Sequence, residues 1–306
     1  MRVRLLGTAA GGGLPQWNCN CRNCRGVRSG ALQVLTRTQS SVAISPDDRR
    51  WFLLNASPDV RIQIESFPSL LPALDRVRGT SLEGVLLTNA DLDHVLGLFI
   101  LREGSRLRVY ASASVKQALS QGLKLDSVLE HYCGVSWCEP PLEISPLLGA
   151  DGNASGVLYC AVPVRGKLPR YLQEGASPAV GNVVAYRFVD ESTGGRLLFM
   201  PDVAALDDRT LDEMRNCDAL LIDGTFWSEN EMLEMGVGGD SASEMGHVPV
   251  SGATGSLASI ASLPIPHKIY IHINNTNPML IEHSVERATV EAAGVQIGWD
   301  GMELVL

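Results

Sequence analysis

Within Thr88-Asn89-Ala90-Asp91-Leu92-Asp93-His94 the chain offers two carboxylates and an imidazole in four positions. Such a set can hold a metal ion or move protons, which makes Asp91, Asp93 and His94 candidate catalytic residues. A second set is softer. Cys19, Cys21 and Cys24 lie so close that a single turn of chain can aim three thiols at one point. Zinc takes about four tetrahedral ligands and accepts thiolates, and the neighbouring Arg22 and Arg25 favour the ionised sulfur. A structural zinc in the loop around residues 17–25 is therefore expected, one ligand short. His272 is the leading candidate to complete it, with His267 and the Asn275 oxygen behind it. Met245-Gly246-His247-Val248 follows a glycine-rich loop, and His247 is read either as a side chain aimed into a cleft or as a surface histidine. In Val164-Arg165-Gly166-Lys167-Leu168-Pro169-Arg170-Tyr171 three cations and a phenol come together, either as a solvated loop or as a clamp for an acidic ligand.

These residues need elements to position them, and apolar strands supply those. Val85-Leu86-Leu87 runs into the Asp91 to His94 set. Leu197-Leu198-Phe199-Met200 ends in Pro201-Asp202, Ala219-Leu220-Leu221-Ile222 in Asp223-Gly224-Thr225, and Lys268-Ile269-Tyr270-Ile271 in His272. Four strands thus deliver an acid or a histidine at their carboxyl-terminal ends, where α/β sheets place ligand sites. Residues 38–44 and 51–55 read as paired strands around a Pro46-Asp47-Asp48 turn. Ser57 is expected to cap a helix with Pro58 at its first position, Ser284 to begin another that Gly294 stops. Residues 295–297 and 302–306, joined through Asp300-Gly301, are expected to close the chain as a hairpin. The glycine-rich stretch from Gly7 to Pro15 lacks the lysine of a phosphate loop and reads as a turn.

Length and composition bound what this can be. The 306 residues include 45% hydrophobic and 19% charged, a globular balance, and no repeat or clean linker divides them. One layered α/β domain over residues 1–306 follows, and the size is compatible with a homo-oligomer. The net charge of −9 argues against nucleic acid as a partner. No apolar run is long enough to cross a bilayer. Seven cysteines, three of them crowded, suit reduced thiols in the cytoplasm better than a disulfide framework.

Residues 88–98 resemble the metallo-β-lactamase superfamily signature T-H-x-H-x-D-H-x-x-G-L. Asn89 and Asp91 stand at its first two histidines, while Asp93, His94 and Gly97 match. Asp202 stands at the acid that bridges two metals, His272 at the last histidine ligand, and Asn55 where an Asp is common. Together with Gly-Gly-Gly-Leu-Pro-Gln-Trp-Asn-Cys-Asn-Cys at Gly11 to Cys21, Arg37-Thr38-Gln39-Ser40-Ser41, Asn55-Ala56-Ser57-Pro58-Asp59 and His272-Ile273-Asn274-Asn275-Thr276-Asn277-Pro278, they make the chain similar, end to end, to the family of pyrroloquinoline quinone (PQQ) biosynthesis B proteins. The resemblance implies a metallo-β-lactamase-like αββα sandwich and a structural zinc on Cys19, Cys21 and Cys24. It implies a part in making PQQ from a glutamate and a tyrosine of a precursor peptide, either as an oxygenase acting on the tyrosine ring or as a carrier toward the periplasm. Asn89 is a poor exchange for histidine, and no histidine stands near residues 165–167. The first metal position is therefore expected to be dismantled, the second to keep Asp93, His94, Asp202 and His272. Two histidines with carboxylates suit one iron(II) ion and O₂ chemistry, whereas dinuclear hydrolysis needs two ions about 3.5–4 Å apart. His272 is claimed by both metals and serves both only if the sites adjoin. Arg37, Lys167 and Arg170 are the expected partners for the carboxylates of PQQ or its Glu-Tyr-derived precursor.

Overall fold

Runs of two to ten residues build fourteen strands among the residues described by the computed structural model, 1–172 and 181–306. They are β1 (Arg2–Gly7), β2 (Ser41–Ser45), β3 (Trp51–Leu54), β4 (Leu82–Leu86), β5 (Leu107–Tyr110), β6 (Val135–Cys138), β7 (Ser145–Leu148), β8 (Ala154–Pro163), β9 (Val184–Asp190), β10 (Arg196–Met200), β11 (Ala219–Asp223) and β12 (His267–Ile271), with two shorter strands, β13 (Gln296–Ile297) and β14 (Glu303–Val305). They form two seven-stranded sheets, ordered β14-β1-β2-β3-β4-β5-β6 and β13-β12-β11-β10-β9-β8-β7. Each sheet is mixed. β3, β4, β5 and β6 run parallel in the first, and β10 to β13 run parallel in the second.

Side chains alternate across each strand and fill three layers. Phe52, Leu54 and Leu86 from the first sheet meet Phe199, Leu221, Ile269 and Ile271 from the second between the sheets. Leu53 and Val85 point the other way, under outer helices, as Tyr270 and Ile222 do on the far face. This is the αββα sandwich. A fully buried Leu, Ile or Phe contributes roughly 1.5–3 kcal/mol, so the layers, rather than the site, supply the stability that holds the site's buried charges together. Among the described residues no helix is long and apolar enough to cross a membrane.

Two local expectations change. Residues 295–297 and 302–306 are no hairpin: β13 pairs with β12 and β14 with β1, so the chain crosses from one sheet to the other. The Asp300 turn is held by the first sheet's side, where its carboxylate accepts from the Thr38 amide at 2.6 Å and the Thr8 hydroxyl at 2.7 Å. The helix after Ser57 is regular only from Val60, with Asp59 at the cap position but without a side-chain cap bond, while the Ser57 hydroxyl accepts from the Asp59 amide across Pro58 in the turn that leads in.

Candidate metal centre

β4 from one sheet and β10, β11 and β12 from the other end at the same rim, so their trailing residues converge. The join is direct, since the Val184 amide donates to the Thr88 carbonyl at 2.8 Å and the Asn89 amide to Asp202 Oδ2 at 3.0 Å. Asp93, His94 and His272 present ligand-type atoms within 4.8 Å of one another, and so do Asp202, His247 and His272. His272 belongs to both groups.

The hydrogen bonds point the imidazoles inward. His94 Nδ1 donates to Asn89 Oδ1 at 2.9 Å, which leaves Nε2 as the inward atom. That Nε2 is buried without a hydrogen-bond partner. His272 Nδ1 faces the Thr225 hydroxyl at 2.8 Å, and that hydroxyl donates to Asp223 Oδ1 at 2.6 Å. His247 Nδ1 donates to Asp223 Oδ2 at 2.7 Å. A metal-binding histidine is oriented in this way, with its other ring nitrogen donated outward.

Charge accumulates here. Asp91, Asp93, Asp202 and Asp223 crowd three histidines in a buried site. Burial, and then the Asp93 and Asp202 carboxylates, push Asp91 up to about 7. Burial also opposes the charge on Asp93, but His94 and His272 outweigh it and hold that carboxyl below the ordinary range. His272, against the pull of burial, is raised to about 10 by Asp202 and Asp93, and its Nε2 lies 3.1 Å from Asp93 Oδ2. His94, in contrast, is lowered by burial. A cation fits this set: it would meet an orphaned ring nitrogen and replace the proton that the carboxylates otherwise draw onto His272.

A cavity of about 410 Å³ opens onto the cluster, floored by Asp93, Asp202, His247 and His272 and walled by Lys167, Arg170, Tyr171 and Phe226. Asp91 lines it as well. Arg170 pairs with Asp240 at 2.8 Å, and Lys167 Nζ donates to the Glu244 carbonyl. Arg37 lies elsewhere. It is buried and donates to the Thr8 hydroxyl and the Gly298 carbonyl, and burial lowers its guanidinium to about 10.

The cysteines form a separate cluster. Cys21 caps the helix Arg22–Ser29 through its sulfur, which brings Cys24 back toward it, and Cys19, Cys21 and Cys24 converge. Burial, with Cys21 and Cys19 beside it, raises Cys24 to about 12, so a cation among the sulfurs would favour its thiolate. The fourth group is the side chain of Asn275, whose amide lies 3.2, 3.4 and 3.3 Å from the three sulfurs. His272 points to the carboxylates instead, and His267 sits at the opposite end of β12.

The model of the Beta-lactamase superfamily domain matches residues 50–273. Coenzyme PQQ synthesis protein B of Pseudomonas paraeruginosa is 42% identical over the full length of both chains, and that of Nitrosococcus oceani is 43% identical, also over both full lengths. The chain belongs to the coenzyme PQQ synthesis protein B family. Among solved structures, zinc-bound PqqB from Methylobacterium extorquens superposes with a TM-score of 0.91 at 38% identity, covering all of both chains. The family's metallo-β-lactamase fold and a metal-binding character carry over with that likeness.

Within this family frame, three roles escaped the sequence. Asn89 is a bracket that joins Asp202 to His94. Thr225 and Asp223 orient His272 and His247. The only signal for the last two was their place at the end of β11, and nothing in sequence tied Asn89 to Asp202, 113 positions away.

Proposed function

We propose that this protein acts in PQQ synthesis as an iron(II)-dependent hydroxylase of a Glu-Tyr-derived intermediate. The observation that carries the reading is the Asp93, His94, His272 set, two imidazoles and one carboxylate beside an open cavity, with His94 Nε2 buried and unpartnered. Bound there, iron(II) would supply open coordination positions and one-electron chemistry for O₂. In the overall balance one oxygen atom enters an aryl C–H bond and the other leaves as water, with two electrons and two protons from an external reductant. Lys167 and Arg170, on the cavity wall, are suited to pair with substrate carboxylates, and Tyr171 to meet a ring. Asp91, with a carboxyl raised to about 7, is suited to take a phenol proton near neutral pH. The cysteine cluster with Asn275 holds a structural zinc. All seven cysteines are free, which supports a reducing compartment such as the cytoplasm.

The test is anaerobic loading with iron(II), then oxygen, a reductant and a tyrosine-containing precursor, followed by mass spectrometry. A gain of one oxygen atom per turnover in the parent and none in His94→Ala is expected. Bound iron without any oxygen incorporation would favour a non-catalytic carrier of PQQ or its precursor.

A further inference from the structure

The loop that follows β12 serves both metal clusters. His272 reaches the carboxylates, Asn274 lines the active-site cavity, and Asn275, three residues after His272, places its amide on the three sulfurs. The loop has no glycine, yet His272 holds a left-handed backbone φ of 54°, a conformation that side-chain-bearing residues adopt at a cost and keep only when neighbours hold it. The Thr225 hydroxyl, donating to the His272 carbonyl at 2.8 Å, and the Thr8 carbonyl, accepting from the Ile273 amide at 2.9 Å, hold the near half of the loop, and the cysteine loop holds the far half. Asn23, buried between Cys21 and Cys24 in sequence, donates from one amide to the Asn275 carbonyl and to the Asn277 carbonyl, each at 2.9 Å. The Asn277 amide in turn donates to the Gly224 carbonyl at 3.0 Å, on the segment that carries Thr225.

We propose that Asn275 is a positioning residue: through it the cysteine cluster fixes the loop that aims His272, so zinc there tightens metal binding at the active site. A cation among the sulfurs would need the oxygen of the Asn275 amide, which a half-turn of the amide presents at the same place. That adds one tether to the loop from the cysteine side, beyond the two from Asn23. The loop is short, so a tether at position 275 limits the freedom of position 272. Second-layer groups that orient a ligand in this way change metal affinity by about 10- to 100-fold. The coupling is reciprocal, as any binding linkage is. It rests on the zinc reading of the cysteine cluster and is independent of which ion or reaction the active site takes.

The experiment uses the full chain with zinc at the cysteines and the active site emptied. Cobalt(II) is titrated in, with its visible absorption giving the active-site dissociation constant and elemental analysis giving zinc per chain. Asn275→Ala should raise that constant about 10- to 100-fold, and Asn275→Asp, which keeps an oxygen at the same reach, should restore it. Asn23→Ala leaves every candidate zinc donor in place and should retain zinc while weakening cobalt binding several-fold. Leu147→Ala, in the layer between the sheets, serves as a control that lowers thermal stability without touching either cluster. An unchanged cobalt constant in both asparagine variants overturns the proposal, as does an equal shift in the Leu147 control. Zinc missing from the parent overturns both the zinc reading and the coupling, whereas zinc present with unchanged cobalt binding overturns the coupling alone.

Discussion

The two clusters share a loop and little else. At the cysteines three soft sulfurs are met by backbone donors, the Gln16 amide on Cys24 at 3.3 Å and the Cys21 amide on Cys19 at 3.4 Å, and the Asn275 side chain brings the groups to four. At the active site hard carboxylates and imidazoles converge from four strand ends and leave room on the cavity side. A complete tetrahedral set suits a structural ion, and an incomplete one facing a cavity suits chemistry. The difference teaches where each site gets its order. The cysteine cluster is made mostly by one short loop and is suited to order itself around an ion. The active site is made by the sandwich and is held ready by outward hydrogen bonds.

The largest expected effect breaks the self-ordered site. Cys21→Ser removes a sulfur while leaving a hydroxyl that can still cap the Arg22–Ser29 helix, so the loss reports on the ion and not on the cap. Zinc per chain should fall to near zero, with a loss of about 3 kcal/mol or more, since structural zinc contributes directly to folding. Elemental analysis and thermal melting check it. Asp93→Ala should do the reverse, emptying the active site and leaving zinc and melting temperature nearly as in the parent. If the two variants lose stability equally, the contrast between the sites fails.

The same contrast decides what the sequence could tell. Three cysteines in six positions and acids at the ends of apolar runs are local patterns, and from them the cysteine cluster and a layered α/β fold with acids and histidines at its strand ends were legible. The αββα sandwich and the choice of Asp93, His94, Asp202 and His272 as one set came instead from the resemblance to the metallo-β-lactamase signature. His247 was open between cleft and surface, because only the tertiary contact with Asp223 separates the two. Arg37 carries a charge and sits in a polar stretch, so its burial against Thr8 and Gly298 left no local mark. The final strands read as a hairpin because alternation says which face is buried but not which sheet accepts the strand. Completion of the cysteine set was misassigned in first preference for a similar reason. Histidine is the commoner ligand type, but the left-handed turn at His272 sends it one way and Asn275 the other.

A smaller effect sharpens the picture of the held-ready site. Asn89→Ala leaves His94 Nδ1 without its 2.9 Å acceptor and Asp202 Oδ2 without its 3.0 Å donor. The ring and carboxylate lose orientation, so active-site metal affinity should fall about 10-fold or more with zinc content unchanged. Cobalt titration measures it. Unaltered affinity would mean that Asn89 merely fills the place of a lost ligand.

The smallest effect lies between the two clusters. Glu231 is buried, accepts from the Thr276 hydroxyl and the Trp227 amide, and so braces the shared loop from outside; burial pushes its carboxyl up to about 7. Its folded value lies above the ordinary 4.5, so its contribution is fully present below about pH 4.5 and is lost as pH rises to about 7. The shift sets a ceiling of roughly 3 kcal/mol at 1.36 kcal/mol per unit, and about 1–2 kcal/mol is expected because nearby water can reach the group as it ionises. Glu231→Gln cannot ionise and keeps an acceptor for the Trp227 amide, while its NH₂ faces the Thr276 hydroxyl, which can turn to accept from it. Denaturant unfolding at pH 5 and pH 8 should therefore give a gap between the two pH values that is smaller in the variant than in the parent, with the variant the more stable at pH 8. An identical gap in the two proteins would show that Glu231 is already ionised at pH 5, and that the brace on the shared loop is a charged one.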